Sequence, residues 1–274
     1  MIPFNFAYFQ PTSIDEAITQ YKELTESGKT VHYFSGGTEF ISRARRNEIF
    51  CDAVIDIKKI PETNVMGWDD DQLIVGACCN LSTLVCNQFF PLLSDVTKQI
   101  ATQTERNKIT LGGNIASNLP YREAILPFLL ADSEIIIAGE EGTRQLRLND
   151  IYQHGKLLDT GEFIVQLITE RRWTNRPYMH LRKTKQSHIN YPIVSLVAMK
   201  DGADTRIAIS GFLDYPFRIK KMEALFKDNE KRNLDKAIDS INASPQSDSQ
   251  ATEKYRQFVL RSMLEKIQSM KGAS

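Results

Sequence analysis

The sequence is short of the residues that usually announce a reaction. Its 274 residues hold four cysteines, four histidines and two tryptophans, and 34 basic side chains balance 34 acidic ones. Zero net charge argues against a general nucleic-acid binder, since neutralising phosphates takes a basic excess. Cys51, Cys78, Cys79 and Cys86 form no C-x-x-C pair, and no histidine stands at a metal-ligand offset from them. No metal site is expected, and the chain has no cysteine set for an iron–sulfur cluster. Such thiols read as reduced and mostly buried, in a cytosolic protein. On a strand, Cys78 and Cys79 should point one thiol inward and one outward. No apolar run approaches the roughly 18 residues that span a bilayer. The start, "MIPFNFAYFQP", lacks the basic region and apolar core of a signal peptide. A soluble, cytoplasmic protein is expected. Also missing are a G-x-G-x-x-G fingerprint, a P-loop, and any obvious Ser-His-Asp or paired-carboxylate constellation.

What is present fits two domains, the prior for this length. A hydrophobic share of 42% and a charged share of 25% are ordinary for a globular protein. Residues 1–175 carry about −7 and residues 176–274 about +7. That asymmetry fits two differently charged units, a docking face, or chance scatter of solvated charge. "PTSIDEAITQYKELTESGKT" predicts a helix, with Ser13 as cap, Glu16 placed for a capping box, and Gly28 at its end. The strand "VHYF", a helix through "EFISRARRN" and the strand "AVIDI" make residues 1–57 a small β-α-β-α-β layer. Arg43 to Arg46 read as a solvated helix face. "QLIVGACCNL", "SEIIIAG" and "EFIVQLIT" read as strands, "REAILPFLLAD" as a helix, and "GEEGTR" as a turn. "YPIVSLVAMK" and "TRIAISGF" read as hairpin strands around "DGAD". A helical tail follows, broken by "NASPQSDSQ", and its last helix carries Tyr255, Phe258, Val259 and Met263 on one stripe. The main boundary falls near 170–178.

Two glycine pairs carry the chemistry. "YFSGGTEF" leaves a strand through Gly36–Gly37 and enters a helix at once, and "ERNKITLGGNIASNLP" is read as a long loop around Gly112–Gly113. Without a Cβ, backbone N–H groups can approach a phosphate, and a helix start reinforces such a nest. Ser35, Thr38, Thr110, Asn114 and Ser117 add hydroxyl and amide donors. Either pair alone reads as a structural turn. Together they suggest an anion site able to hold two phosphates from opposite sides.

The stretch "RNKITLGGNIASNLPYREAILPFLLAD" resembles the FAD-binding subunits of the xanthine dehydrogenase family of molybdenum hydroxylases, which carry R-N-x-x-T-(I/L)-G-G-N. "YFSGGTEF" is similar to that family's first loop, A-G-G-T-(D/E)-L. "FAYFQPTSIDEA", "AVIDIKKIPE" and "LIVGACCNLSTL" fall in the family's order, and "ATEKYRQFVLRSML" looks like its closing helix. The resemblance implies an α+β chain. A PCMH-type FAD-binding domain would cover 1–174, with subdomains of about 1–57 and 58–174. A small α+β flavoprotein C-terminal domain would cover 175–274.

Carried over residue by residue, the resemblance makes Ser35, Gly36, Gly37, Thr38 and Glu39 the first phosphate loop, and Arg106, Thr110, Gly112, Gly113, Asn114 and Ser117 the second. Glu123 takes the place of the family's Asp, suited to accept from ribityl or ribose hydroxyls. Leu119 replaces a Ser before Pro120. His180-Leu-Arg182, then Lys183, stands for a Tyr-x-Lys pattern, which keeps a cation for the flavin ring or phosphates. In their other readings Arg106 is a helix-end salt bridge, Glu123 a first-turn residue on the helix dipole, and His180 and His188 surface histidines. The resemblance implies FAD in this chain, with molybdopterin and 2Fe-2S clusters only in a large and a small partner subunit. NAD+ is the implied acceptor, purine breakdown the implied setting, and no side-chain catalyst is needed. The alternatives are the same subunit of a carbon monoxide, aldehyde, N-heterocycle or aromatic acyl-CoA hydroxylase, and a flavin-free structural subunit.

Overall fold

Three sheets organise the chain, and the glycine pairs lie where the first two meet. The computed structural model describes residues 2–152, 154–185, 191–225 and 232–269. The first sheet is parallel, in the order β1 (Ala7–Phe9), β3 (Ala53–Asp56), β2 (Val31–Phe34). Helices Ile14–Glu26 and Thr38–Arg45 make the crossovers that parallel strands require. Ser13 caps the first helix by accepting from Glu16 N–H, while the Glu16 carboxylate turns back to Thr12. All four residues of β3 are buried, as a central parallel strand demands.

The second sheet is antiparallel: β4 (Met66–Asp69), β5 (Gln72–Gly76), β8 (Phe163–Glu170), β6 (Glu134–Gly139), β7 (Gly142–Arg147). "GEEGTR" is thus only partly a turn, because Gly142 onward pairs with β6. The predicted strand "QLIVGACCNL" stops at Gly76. Beyond it Cys78 joins the core under the first sheet and Cys79 the core under the second, so both are buried rather than one. "REAILPFLLAD" splits into a 3-10 turn, Glu123–Ile125, and the helix Leu126–Leu130.

The third sheet is antiparallel, β12 (Phe217–Arg218), β11 (Asp204–Ser210), β10 (Pro192–Asp201), β9 (Tyr178–Thr184). Both its faces are buried. Val197, Met199 and Ala208 join the core of the second sheet, whereas Leu196, Ala198, Ile207 and Ile209 pack against helix Glu253–Ser269. That helix buries Arg256, Val259, Leu260, Met263, Leu264 and Ile267 and leaves Tyr255 and Phe258 exposed, which corrects the predicted stripe. The rotation follows from Arg256, which donates to the carbonyls of Ile193 and Gly211 and pairs with Asp248 at 2.6 Å. Among the described residues no helix is long and apolar enough to cross a membrane, and no cluster of metal-binding side chains occurs.

Candidate functional site: two glycine pairs pressed together

The first pair ends β2 and starts helix Thr38–Arg45. Gly37 sits at φ +70°, in the left-handed region, and a Cβ there would lie 2.2 Å from the Phe34 ring. At Gly36 a Cβ would come within 2.1 Å of the Lys108 carbonyl oxygen. Both glycines are therefore required by contact inside the protein. Their side effect is chemical. The N–H groups of Gly36, Gly37 and Thr38 find no acceptor among the described residues, and they stand at the positive end of a helix. Glu39, in the first turn, lies 3.7 Å from Arg43.

The second pair is not a loop but part of a one-turn helix, Leu111–Ile115. Thr110 caps it, its hydroxyl accepting from Gly113 N–H at 3.3 Å. Gly112 N–H donates to the Ala77 carbonyl, Leu111 N–H to that of Cys79 and Asn114 N–H to that of Thr110. Its backbone donors are thus largely spent. What it presents is the Asn114 side chain, whose Oδ1 accepts from Ala124 N–H, and the exposed backbone of Gly113. The two pairs touch: the Ser35 hydroxyl donates to the Thr110 hydroxyl at 3.2 Å and lies 3.2 Å from Cys78 Sγ.

A nest of bare N–H groups backed by a hydroxyl-rich wall suits a phosphate, and comparison with known proteins gives the phosphate its carrier. Residues 4–169 match the family described as "FAD binding domain in molybdopterin dehydrogenase". The chain belongs to this family. Full-length similarity extends to the glyceraldehyde dehydrogenase medium chain of Sulfolobus acidocaldarius, 24% identical, with 95% of this chain and 96% of that protein aligned. The carbon monoxide dehydrogenase medium chain of Hydrogenophaga pseudoflava is 25% identical over 61% of this chain and 59% of its own. In three dimensions the chain superimposes on a carbon monoxide dehydrogenase from Hydrogenophaga pseudoflava with a TM-score of 0.86, at 21% identity, covering 97% and 96% of the two chains. That likeness confirms the α+β, PCMH-type fold.

The free N–H groups of Gly36, Gly37 and Thr38 are the donors that the pyrophosphate of an FAD would need, so the residues present fit the cofactor of the family. In the second glycine pair, Gly112 packs against Ala77 and its N–H is bonded within the chain. Arg106 is bonded locally. Its guanidinium donates to the carbonyls of Ile100 and Ala101 and to the side-chain oxygen of Gln103. Ser117 is buried, and its hydroxyl accepts from Leu119 N–H at 3.0 Å. Leu119 itself is exposed.

Beyond the wall, β9 presents alternate residues to the second sheet's domain. Arg182 grips Glu123 in a bidentate pair, Nε and Nη2 donating to the two carboxylate oxygens at 2.8 and 3.0 Å, and both side chains are almost fully buried. A carboxylate retains lone pairs after a bidentate pair, so Glu123 can still accept from a hydroxyl. Lys183 points to the opposite face of the strand and is exposed, so it and Arg182 do not serve one site. His180 is no surface residue. Its Nε2 lies 3.1 Å from Ser195 Oγ, and its Nδ1 faces Gln99 and Asp95. Burial holds its pKa below the ordinary histidine value, against the pull of Glu123 and Asp95. His188 lies outside the described residues.

Sequence reasoning missed the residues behind the first pair. Lys58 Nζ donates to the Ser35 carbonyl at 2.8 Å and to Asp56 at 2.6 Å, and stands 4.9 Å from the Phe34 ring centre. Asp56 is buried and accepts from Tyr8 as well, which pushes the Tyr8 hydroxyl up to about 12. The signal was in "AVIDIKKIPE": an acid closing a buried strand, followed two residues on by a lysine.

Proposed function

We propose that this chain is the FAD-carrying subunit of a cytoplasmic molybdenum hydroxylase of xanthine dehydrogenase type. In that reading electrons reach its flavin from the 2Fe-2S clusters of a small partner and leave for NAD+, and a large molybdopterin-binding partner oxidises a purine. The observation that carries the reading is the nest of unpaired N–H groups at Gly36–Gly37–Thr38, packed on the Thr110 helix. The redox chemistry is supplied by bound FAD, which can exchange electrons singly or in pairs. This chain's residues bind and orient. Gly36, Gly37 and Thr38 hold the pyrophosphate, Thr110 and Asn114 wall it in, and Glu123 accepts from ribityl or ribose hydroxyls while Arg182 fixes its carboxylate.

Support for the subunit role comes from family membership and from relatives named as medium chains or an FAD subunit. Those relatives also include a nicotinate dehydrogenase and a glyceraldehyde dehydrogenase, which favours a test that treats the purine as one candidate among several. The native complex is purified and assayed for NAD+ reduction with hypoxanthine, xanthine, nicotinate, an aldehyde and carbon monoxide. Turnover of a purine supports the xanthine dehydrogenase type. Turnover only of another substrate assigns the subunit to that hydroxylase. A native complex from which acid or heat releases no fluorescent flavin defeats the FAD role altogether.

A further inference from the structure

We infer that Lys58 is a direct ligand of the FAD pyrophosphate and brings a positive charge to the glycine nest. The inference rests on the FAD reading of the site above. Of the cations expected there from sequence, Arg106 is turned onto local carbonyls, Arg182 is closed on Glu123, and Lys183 is on the far face of β9. Lys58 is placed differently. Its ammonium touches the carbonyl of Ser35, the residue that leads into the nest, while its side chain remains 40% exposed. An ammonium has three donors in tetrahedral array. Two are spent on Ser35 and Asp56, which leaves the third for an oxygen arriving at Gly36–Gly37.

The anchoring of Lys58 is also unusual for a lysine. Asp56, 1% exposed, holds it from behind at 2.6 Å, and the face of Phe34 lies 4.9 Å away. A long side chain that would otherwise pay conformational entropy on binding is already fixed. The charge balance points the same way. Without Lys58, the buried Asp56 carboxylate would stand uncompensated beneath the loop and would repel a phosphate. Lys58 therefore screens that carboxylate and contributes a charge-assisted hydrogen bond.

Two experiments test this. In the first, FAD is titrated into the apoprotein, with Asp56→Asn as the background, because Lys58→Met alone would strand a buried charge. D56N, which removes the buried charge and keeps Lys58, sets the reference affinity. Adding Lys58→Met should weaken FAD and the competitor ADP about tenfold or more, with the apoprotein melting as D56N does. Equal FAD affinity in D56N and in the double variant overturns the inference. The second needs no variant: lysine acetylation of wild type is followed by mass spectrometry with and without saturating FAD. Lys58 should be protected, and its exposed neighbour Lys59 should react as before. Equal labelling of Lys58 with and without FAD likewise overturns it. If wild type binds no FAD, the site reading falls first and takes Lys58 with it.

Discussion

The two glycine pairs are the same dipeptide put to opposite uses. At Gly36–Gly37 the backbone is left with unpaired N–H groups, held open by a left-handed turn and by contact with Phe34 and Lys108. At Gly112–Gly113 the backbone is closed into a capped turn, its donors spent on Ala77 and Thr110. The first pair is a cradle and the second its back wall. A glycine pair is thus evidence of close approach, but what approaches can be a ligand or another stretch of the same chain. Gly36 shows that one residue can meet both demands, since its missing Cβ admits the Lys108 carbonyl and its N–H remains free.

The strongest way to break the comparison is to force the pairs apart. Gly36→Val would push a branched side chain into the Lys108 carbonyl, and backbone on both sides leaves little room to yield. We expect a loss of about 3 kcal/mol or more from overpacking, together with loss of flavin. Urea denaturation of the apoprotein and flavin absorbance after reconstitution read the two effects. Stability and flavin content near wild type would mean that the pairs do not press on each other.

A gentler substitution separates wall from cradle. At Gly112 a Cβ would meet Ala77 Cβ at 2.6 Å and its backbone at 3.1 Å, whereas at Gly113 it would meet only the Thr110 hydroxyl, at 2.8 Å. Gly112→Ala should cost about 1–3 kcal/mol. Gly113→Ala should leave stability within about 1 kcal/mol of wild type, because alanine favours the helix while one hydroxyl must turn. Its effect belongs to FAD affinity, because Gly113 is exposed at the mouth. If Gly113→Ala proved the more destabilising of the two, the roles given to wall and mouth would be reversed.

These residues also show how far the sequence could be read. Strands β2, β3, β5, β6, β8, β10 and β11 were legible because each is a largely apolar run between turn residues. β4, β7 and β9, with "MGWD", "GTRQLR" and "YMHLRKT", carry little apolar signal and exist through their partners' hydrogen bonds. The glycine pairs stood out in the sequence, but what each packs against did not, because Lys108 and Ala77 arrive from elsewhere in the chain. The Glu123–Arg182 pair joins residues 59 positions apart. Nothing local in either segment reveals that the two expected cofactor ligands hold each other.

The smallest expected effect comes from pH, and it contrasts the glycine pairs, which have no titrating side chain, with β9 beyond them. His180 is buried there, facing Asp95 from helix Pro91–Lys98, Gln99 at that helix's C-terminal cap, Glu123 from the 3-10 turn Glu123–Ile125, and Arg182 and Ser195 from the sheet. Burial is the largest influence on it and disfavours the proton; Glu123 and Asp95 oppose this, and Arg182 adds to it. Its folded pKa therefore lies below the unfolded value of about 6.5. Between the two values the unfolded chain binds more protons, so stability is complete above about pH 6.5 and declines as pH falls toward the folded pKa. One such group contributes at most about 1.4 kcal/mol per pH unit in that window. His32, half buried with its pKa also lowered chiefly by burial, adds a second slope of the same sign. His180→Gln, whose amide can still meet Ser195, should therefore flatten part of the decline in urea midpoint between pH 7.5 and 5.5, leaving the share of His32. An unchanged slope would show that His180 gains its proton in the folded protein as easily as in the unfolded chain, and β9 would then be as indifferent to pH as the glycine pairs.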